Sequence, residues 1–170
     1  MTYRIASEAD LPSLTALTDQ AKEYFRSNHI DQWQKGEPNE QGLAAAISQN
    51  KLYVLEEDGR VIAMITLQEG DEPSYRQIDG AWLNDLPYMA FHRVCVDSSL
   101  KGRGLAAALF EHSEAIAVSR GYSTIRIDTH PDNLSMQRAL AKSGYQACGQ
   151  ITLATGAEKG APRIGYQKLI

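Results

Sequence analysis

The stretch 92–121, HRVCVDSSLKGRGLAAALFEHSEAIAVSRG, constrains this chain more than any other. A short apolar run, Val94-Cys95-Val96, meets a turn, then Lys101-Gly102-Arg103-Gly104, then an alanine-rich helical stretch closed by Gly121. The pattern is a strand feeding a glycine-rich loop that opens a helix. The first turn of such a helix leaves backbone N–H groups unpaired, and the macrodipole favours negative charge there. Gly102 and Gly104 let the main chain come close to a bound anion, while Lys101 and Arg103 add positive charge. The tetrapeptide by itself also fits an ordinary glycine-bearing loop before a surface helix. It lacks the Gly-Lys-Ser/Thr ending of a P-loop and the G-x-G-x-x-G spacing of a dinucleotide fold.

The rest of the chain supplies the partners for that unit. A first strand is predicted over 2–6, followed by a helix entered near Ser7–Asp10 and running to Ser27, with Pro12 tolerated in its first turn. A loop holds Trp33 and ends at Pro38, and a second helix covers 40–49. Strands at 52–56 and 61–67 flank Asp58-Gly59, a hairpin signal. Residues 69–88 show no regular period, and loops of that length are often functional. Further on come a strand at 89–96, a helix at 104–119, a strand at 124–129, a helix at 133–142 and strands at 145–152 and 163–169. The order β-α-α-β-β-β-α-β-α-β-β belongs to an α/β domain with a mixed sheet.

At 170 residues the chain fits one domain, spanning 1–170. A net charge of −4 gives no electrostatic reason to expect nucleic acid. No apolar run reaches the roughly 18 residues of a membrane span, and the first residues do not read as a signal peptide, so a cytoplasmic protein is expected. Cys95 and Cys148 fall in strand-like apolar segments and read as buried free thiols, and their spacing suits no metal site.

Two ordered motifs then meet. Lys101-Gly102-Arg103-Gly104-Leu105-Ala106 resembles the acyl-CoA signature of the GNAT superfamily of acetyl-CoA-dependent N-acetyltransferases, with Lys101 replacing the usual Arg or Gln. Some thirty residues later, Asn133, Met136, Ala139 and Gly144-Tyr145 look like the Asn-bearing helix and Gly-aromatic strand start of the same family. The resemblance implies a mostly antiparallel mixed sheet with a splayed parallel central pair and helices on both faces. It implies acetyl transfer from acetyl-CoA to a primary amine of a small molecule or protein N-terminus, by direct attack in a ternary complex. A GNAT-like module that binds an acyl-CoA without turnover is the rival expectation. A monomer or homodimer would suffice.

The resemblance also assigns residues. Acetyl-CoA would lie against the backbone of Val94, Cys95 and Val96, with its pyrophosphate on Lys101, Gly102, Arg103, Gly104, Leu105 and Ala106. An N–H near Val94 would polarise the thioester carbonyl. Asn133 would touch the cofactor arm, serve as a helix N-cap, or both. Asp128 matches a catalytic carboxylate of ribosomal-protein alanine acetyltransferases, yet pairing with Arg126 or His92 would make it structural. Many members carry a Tyr acid where this chain has Leu140, and Tyr145 matches a core aromatic. His92 and His130 are therefore expected as proton-transfer groups, against a purely structural role for each. Tyr24, Gln32, Trp33 and the irregular 69–88 segment with Trp82 are the acceptor-site candidates, with the 154–163 loop. Both tryptophans equally suit the packing of their loops onto the core.

Overall fold

The computed structural model describes all 170 residues. Its elements run β1 (Thr2–Ile5), α1 (Leu11–Ser27), α2 (Glu40–Ser48), β2 (Leu52–Glu57), β3 (Arg60–Gln68), β4 (Asp79–Gly80), β5 (Met89–Val96), α3 (Leu105–Ser119), β6 (Thr124–Thr129), α4 (Leu134–Lys142), β7 (Gln146–Thr152) and β8 (Pro162–Leu169). They form one sheet in the order β1-β2-β3-β5-β6-β8-β7-β4. Every neighbouring pair is antiparallel except β5 and β6. The expected mixed, mostly antiparallel sheet with one parallel central pair is what the chain builds.

Local signals set the element ends. Ser7 N–H donates to Asp10 Oδ2 at 2.7 Å, forming a capping box ahead of α1. Asn39 Oδ1 accepts from Gly42 N–H at 2.9 Å and caps α2. Asp58 and Gly59 both take positive φ, as a two-residue type I′ hairpin turn requires.

Strand alternation then sorts the core into two layers. On β2, Leu52 and Val54 pack with Leu14, Leu17, Leu43 and Ile47 of α1 and α2. Tyr53 and Leu55 face the opposite side, with Leu105, Leu109 and Phe110 of α3 and Leu140 of α4. Burial on both faces is why β3 reads as a near-continuous apolar run rather than an alternating one.

The irregular 69–88 segment contributes more than a loop. It makes a single 3₁₀ turn at Pro73–Tyr75 and then the two-residue strand β4 on the sheet edge. There Gly80 faces Gly149 of β7, and a Cβ on either would stand 2.2 Å from the opposing backbone. Only paired glycines permit that approach, and periodicity over two residues cannot reveal it. Cys95 is buried as expected, but Cys148 is only half-buried. Its strand β7 lies one short strand from the sheet edge, so the cover over it is thin. No helix is long and apolar enough to cross a membrane.

Candidate active site

The parallel pair β5–β6 stays together for three residue pairs, ending at Phe91↔Ile127. Beyond that point β5 follows β3 and β6 follows β8, so the sheet forks between His92 and Asp128. A bulge at Arg93, with φ +54°, turns β5 away. Asp97 N–H bonds to Ile62 O at 2.8 Å. By alternation the N–H groups of Val94 and Val96 point to the open side of the fork. A cleft of about 970 Å³ runs through the fork, from the α3 N-terminus to the loops before α2 and β8.

At one end of the cleft stands the glycine loop. Asp97, buried, accepts from Ser99 N–H at 2.9 Å and Ser99 Oγ at 2.6 Å, and pairs with Arg60. Those contacts fix the turn that leads into Gly104, whose φ of +74° a side chain would strain. No side chain caps α3, and its first internal bond is Ala108 N–H to Gly104 O. The N–H groups of Leu105, Ala106 and Ala107 are thus left without helical partners beside the cleft. Lys101 Nζ lies 3.9 Å above the Tyr24 ring. Arg103 departs from expectation. It turns out of the cleft and makes two 2.9 Å bonds to the Glu57 carboxylate, because the β2–β3 hairpin offers a forked partner within reach.

Asn133 caps α4, with Oδ1 accepting from Met136 N–H at 3.2 Å, and also donates Nδ2 to Gln32 Oε1 at 3.1 Å. It therefore ties the loop between α1 and α2 to the helix beside the fork. Leu140, in the position expected for an acid, is wholly buried in the core.

The fork itself holds a compact polar cluster. Asp128 accepts from Tyr75 Oη at 2.7 Å. Burial raises its pKa, against the opposing effects of His92, Tyr75 and Arg163. The pairing of Asp128 with Arg126 does not occur. Arg126 is stacked between Trp82 and Tyr88, at 4.3 and 4.2 Å from their rings. His92 Nε2 is 3.1 Å from Glu72 Oε2, but off the line of a good hydrogen bond. Burial pushes the Glu72 pKa up, while His92 and the Ser74 N–H together bring it below the ordinary value. Glu72 and Tyr75 are the residues sequence reasoning missed, and only the length of their irregular segment hinted at them.

Two further expectations meet a different outcome. His130 lies outside the cleft lining; its Nδ1 accepts from Asp132 N–H at 3.0 Å and closes the β6–α4 turn. Burial, then the charge of Arg163, lowers its pKa and keeps it neutral. Trp82 also lies outside, packed on Gly165 with its Nε1 donating to Tyr75 O at 3.0 Å, so it braces the cluster from behind. Tyr24, Gln32 and Trp33 do line the cleft. Trp33 N–H donates to Glu158 Oε1 at 2.9 Å, and Glu158 pairs with the buried Arg163 at 3.0 Å. The α1–α2 and β7–β8 loops thus clasp over this end of the cleft.

The arrangement can bind an acidic phosphate-bearing ligand on N–H groups at one end and move a proton at the other. The family model described as Acetyltransferase (GNAT) family matches residues 15–145. A GNAT-family acetyltransferase from Streptococcus agalactiae is 30% identical, with a TM-score of 0.87 over 99% of this chain and 95% of that one. Two others share the fold at lower identity. A ribosomal-protein-alanine N-acetyltransferase from Brucella melitensis is 19% identical, with a TM-score of 0.71 over 100% of both chains. A phosphinothricin acetyltransferase from Sinorhizobium meliloti, solved in complex with AcCoA, is 17% identical, with a TM-score of 0.67 over 99% of this chain and 88% of that one. No curated protein matches the sequence.

Proposed function

The chain belongs to the GNAT family of acetyltransferases, and from that premise we propose that it carries an acetyl group from acetyl-CoA to a primary amine of a small molecule or peptide. In this reading residues 1–170 act as one catalytic unit in the cytoplasm, as a monomer or homodimer, with no nucleic-acid or membrane partner. The fork between β5 and β6, with unpaired N–H groups on one side and a carboxylate–imidazole cluster on the other, is the observation that carries it.

Acetyl-CoA supplies the activated acyl carbonyl. The residues present suit it. The free N–H groups of Leu105, Ala106 and Ala107 and the charge of Lys101 would hold its pyrophosphate. The open-side N–H groups of Val94 and Val96 would hold its arm, and the first of them would polarise the carbonyl. Asn133 would touch the arm through whatever donor capacity its bonds to Met136 and Gln32 leave.

An acceptor amine must be neutral to attack. Ionised Glu72 beside Nε2 favours the His92 tautomer that carries its proton there, so Nδ1 can take a proton from the amine, directly or through one water. Asp128, fixed by Tyr75, adds the negative charge that draws in a cationic amine and steadies a protonated His92. With Leu140 unable to donate, that same imidazolium is the group able to return a proton to the departing thiol.

Thiol release from acetyl-CoA over an amine panel tests the reading, beside melting curves of wild type and Gly104→Glu. A Cβ at Gly104 meets no protein atom within 4 Å, so the new carboxylate intrudes on the ligand; the positive φ strains the loop as well, so each protein's shift is read against its own ligand-free melting curve. At a ligand concentration of about 100 Kd, wild type should gain about 2.7 kcal/mol and the mutant nothing. Binding without release for any amine would favour the acyl-CoA-binding module instead, for which the buried Leu140 is the supporting feature.

A further inference from the structure

The acceptor end of the cleft has two electrical poles. One is the acidic cluster of Glu72 and Asp128 around His92. The other is Arg93, the next residue in the chain. In a regular strand His92 and Arg93 would point to opposite faces. The bulge breaks that alternation, and both side chains line the same cleft. Arg93 adopts φ +54°, a strained conformation for a residue with a side chain, and such strain clusters at functional positions.

The Arg93 guanidinium is half-buried yet poorly served. Its one hydrogen bond runs from Nη1 to Gly42 O at 3.3 Å, and it joins no ion pair. Glu37 is the acid whose field reaches it, but that carboxylate instead accepts from Ala157 N–H at 3.3 Å. The other cleft-lining guanidinium at this end is already occupied. Arg163 is 2% exposed, 3.0 Å from Glu158 and donating to Pro162 O at 2.8 Å. A guanidinium presents five donors in a fixed fork, and a desolvated cation with most of them idle favours an oxyanion. Thr66, cross-strand from His92 on the same wall, adds a buried hydroxyl that has no partner.

We infer that the acceptor is an amine carrying its own oxyanion, a carboxylate or phosphate-type group held by Arg93 while the nitrogen faces His92 and Asp128. This rests on the acetyl-transfer reading above and narrows its substrate class. Plain alkylamines and polyamines satisfy the acidic pole but leave Arg93 unpaired. An acceptor with both charges satisfies the two poles at once.

The test uses the full-length protein, saturating acetyl-CoA and matched acceptors: amino acids and aminoalkylphosphonates against their amides and neutral esters. Wild type should prefer the anionic member of a pair by roughly 10- to 100-fold in kcat/KM. Comparing the carboxylate and phosphonate arms identifies which oxyanion is read. In Arg93→Gln the preference should collapse to within about threefold, through acceptor KM, because one charge-assisted contact is lost. The KM for acetyl-CoA should hold. Arg93→Lys, which keeps the charge but not the fork, should restore part of the preference. Calorimetric titration of the acceptor into the CoA-saturated protein reads the same contact without turnover.

Equal use of neutral acceptors by wild type would overturn the inference and leave acetyl transfer standing. So would an Arg93→Gln defect that falls on acetyl-CoA instead of the acceptor. Failure of every amine in both arms would remove the two readings together.

Discussion

The junction of β1 with α1 and the fork between β5 and β6 each hold an aspartate away from solvent, and the two are treated in opposite ways. Asp10 receives two 2.8 Å bonds from Arg4 and one of 2.7 Å from Ser7 N–H. Arg4 holds its pKa down at about 2. Asp128 receives one strong bond, from the neutral Tyr75 hydroxyl, and burial raises its pKa. No cation contacts it directly, since Arg126 is stacked on aromatic rings and Arg163 is paired with Glu158. A carboxylate given a guanidinium becomes a brace for the fold. One denied a guanidinium keeps its basicity, at a cost in stability, and such sites tend to be functional.

Mutation of each carboxylate breaks the comparison most directly. Asp128→Asn should lower kcat by about 10²- to 10³-fold, the range of a lost preorganised electrostatic partner, because a protonated His92 loses the charge that steadies it. It should not lower Tm. A raised folded-state pKa means the ionised form is disfavoured by folding, so a neutral isostere relieves the folded state at pH 7. Parallel kinetics and melting curves check both halves, and a drop in Tm with intact kcat would reverse the assignment.

Asp10→Asn should behave in the opposite sense, with activity unchanged and a loss of about 2 kcal/mol at pH 7, or about 4–8 °C in Tm. Its depressed pKa also sets the pH window. The contribution is complete above the ordinary aspartate value of 3.8 and disappears as pH falls through about 2. Wild-type and mutant melting temperatures should therefore converge across that interval.

Tyr75→Phe has the smallest expected effect. Removing the hydroxyl takes away an interaction that lowers the Asp128 pKa, so that pKa rises further. The rising limb of the pH–rate profile should move to higher pH, with a loss of about tenfold in kcat at pH 7. An unmoved limb would mean that Asp128 does not set it.

The same contrast explains what could be read in advance. The glycine loop works through main-chain N–H groups, and backbone geometry is dictated by consecutive residues. Gly102, Gly104 and the alanine-rich turn after them are contiguous, so the loop and its anionic ligand class were legible together. The acceptor chamber works through side chains drawn from separate segments. Glu72 and Tyr75 come from a stretch without period, Arg93 from a bulge, and Glu158 and Arg163 from the last loop and strand. Arg103, His130 and Trp82 carry the right chemistry in the right neighbourhood, but each is engaged by a partner distant in sequence or turned aside by a local bond.

From its residues alone this chain determined its order of strands and helices apart from β4, the helix entry near Ser7–Asp10, the hairpin at Asp58-Gly59 and the anion-ready start of α3. All of these rest on dihedral preference, hydrophobic period and capping, which act over a few residues. Tertiary structure decided where β5 leaves β6, that β4 pairs with β7 through facing glycines, and which charges near the fork are paired and which stay free. Those outcomes depend on desolvation and on distances between segments up to 125 residues apart, set only when the two core layers close on the sheet.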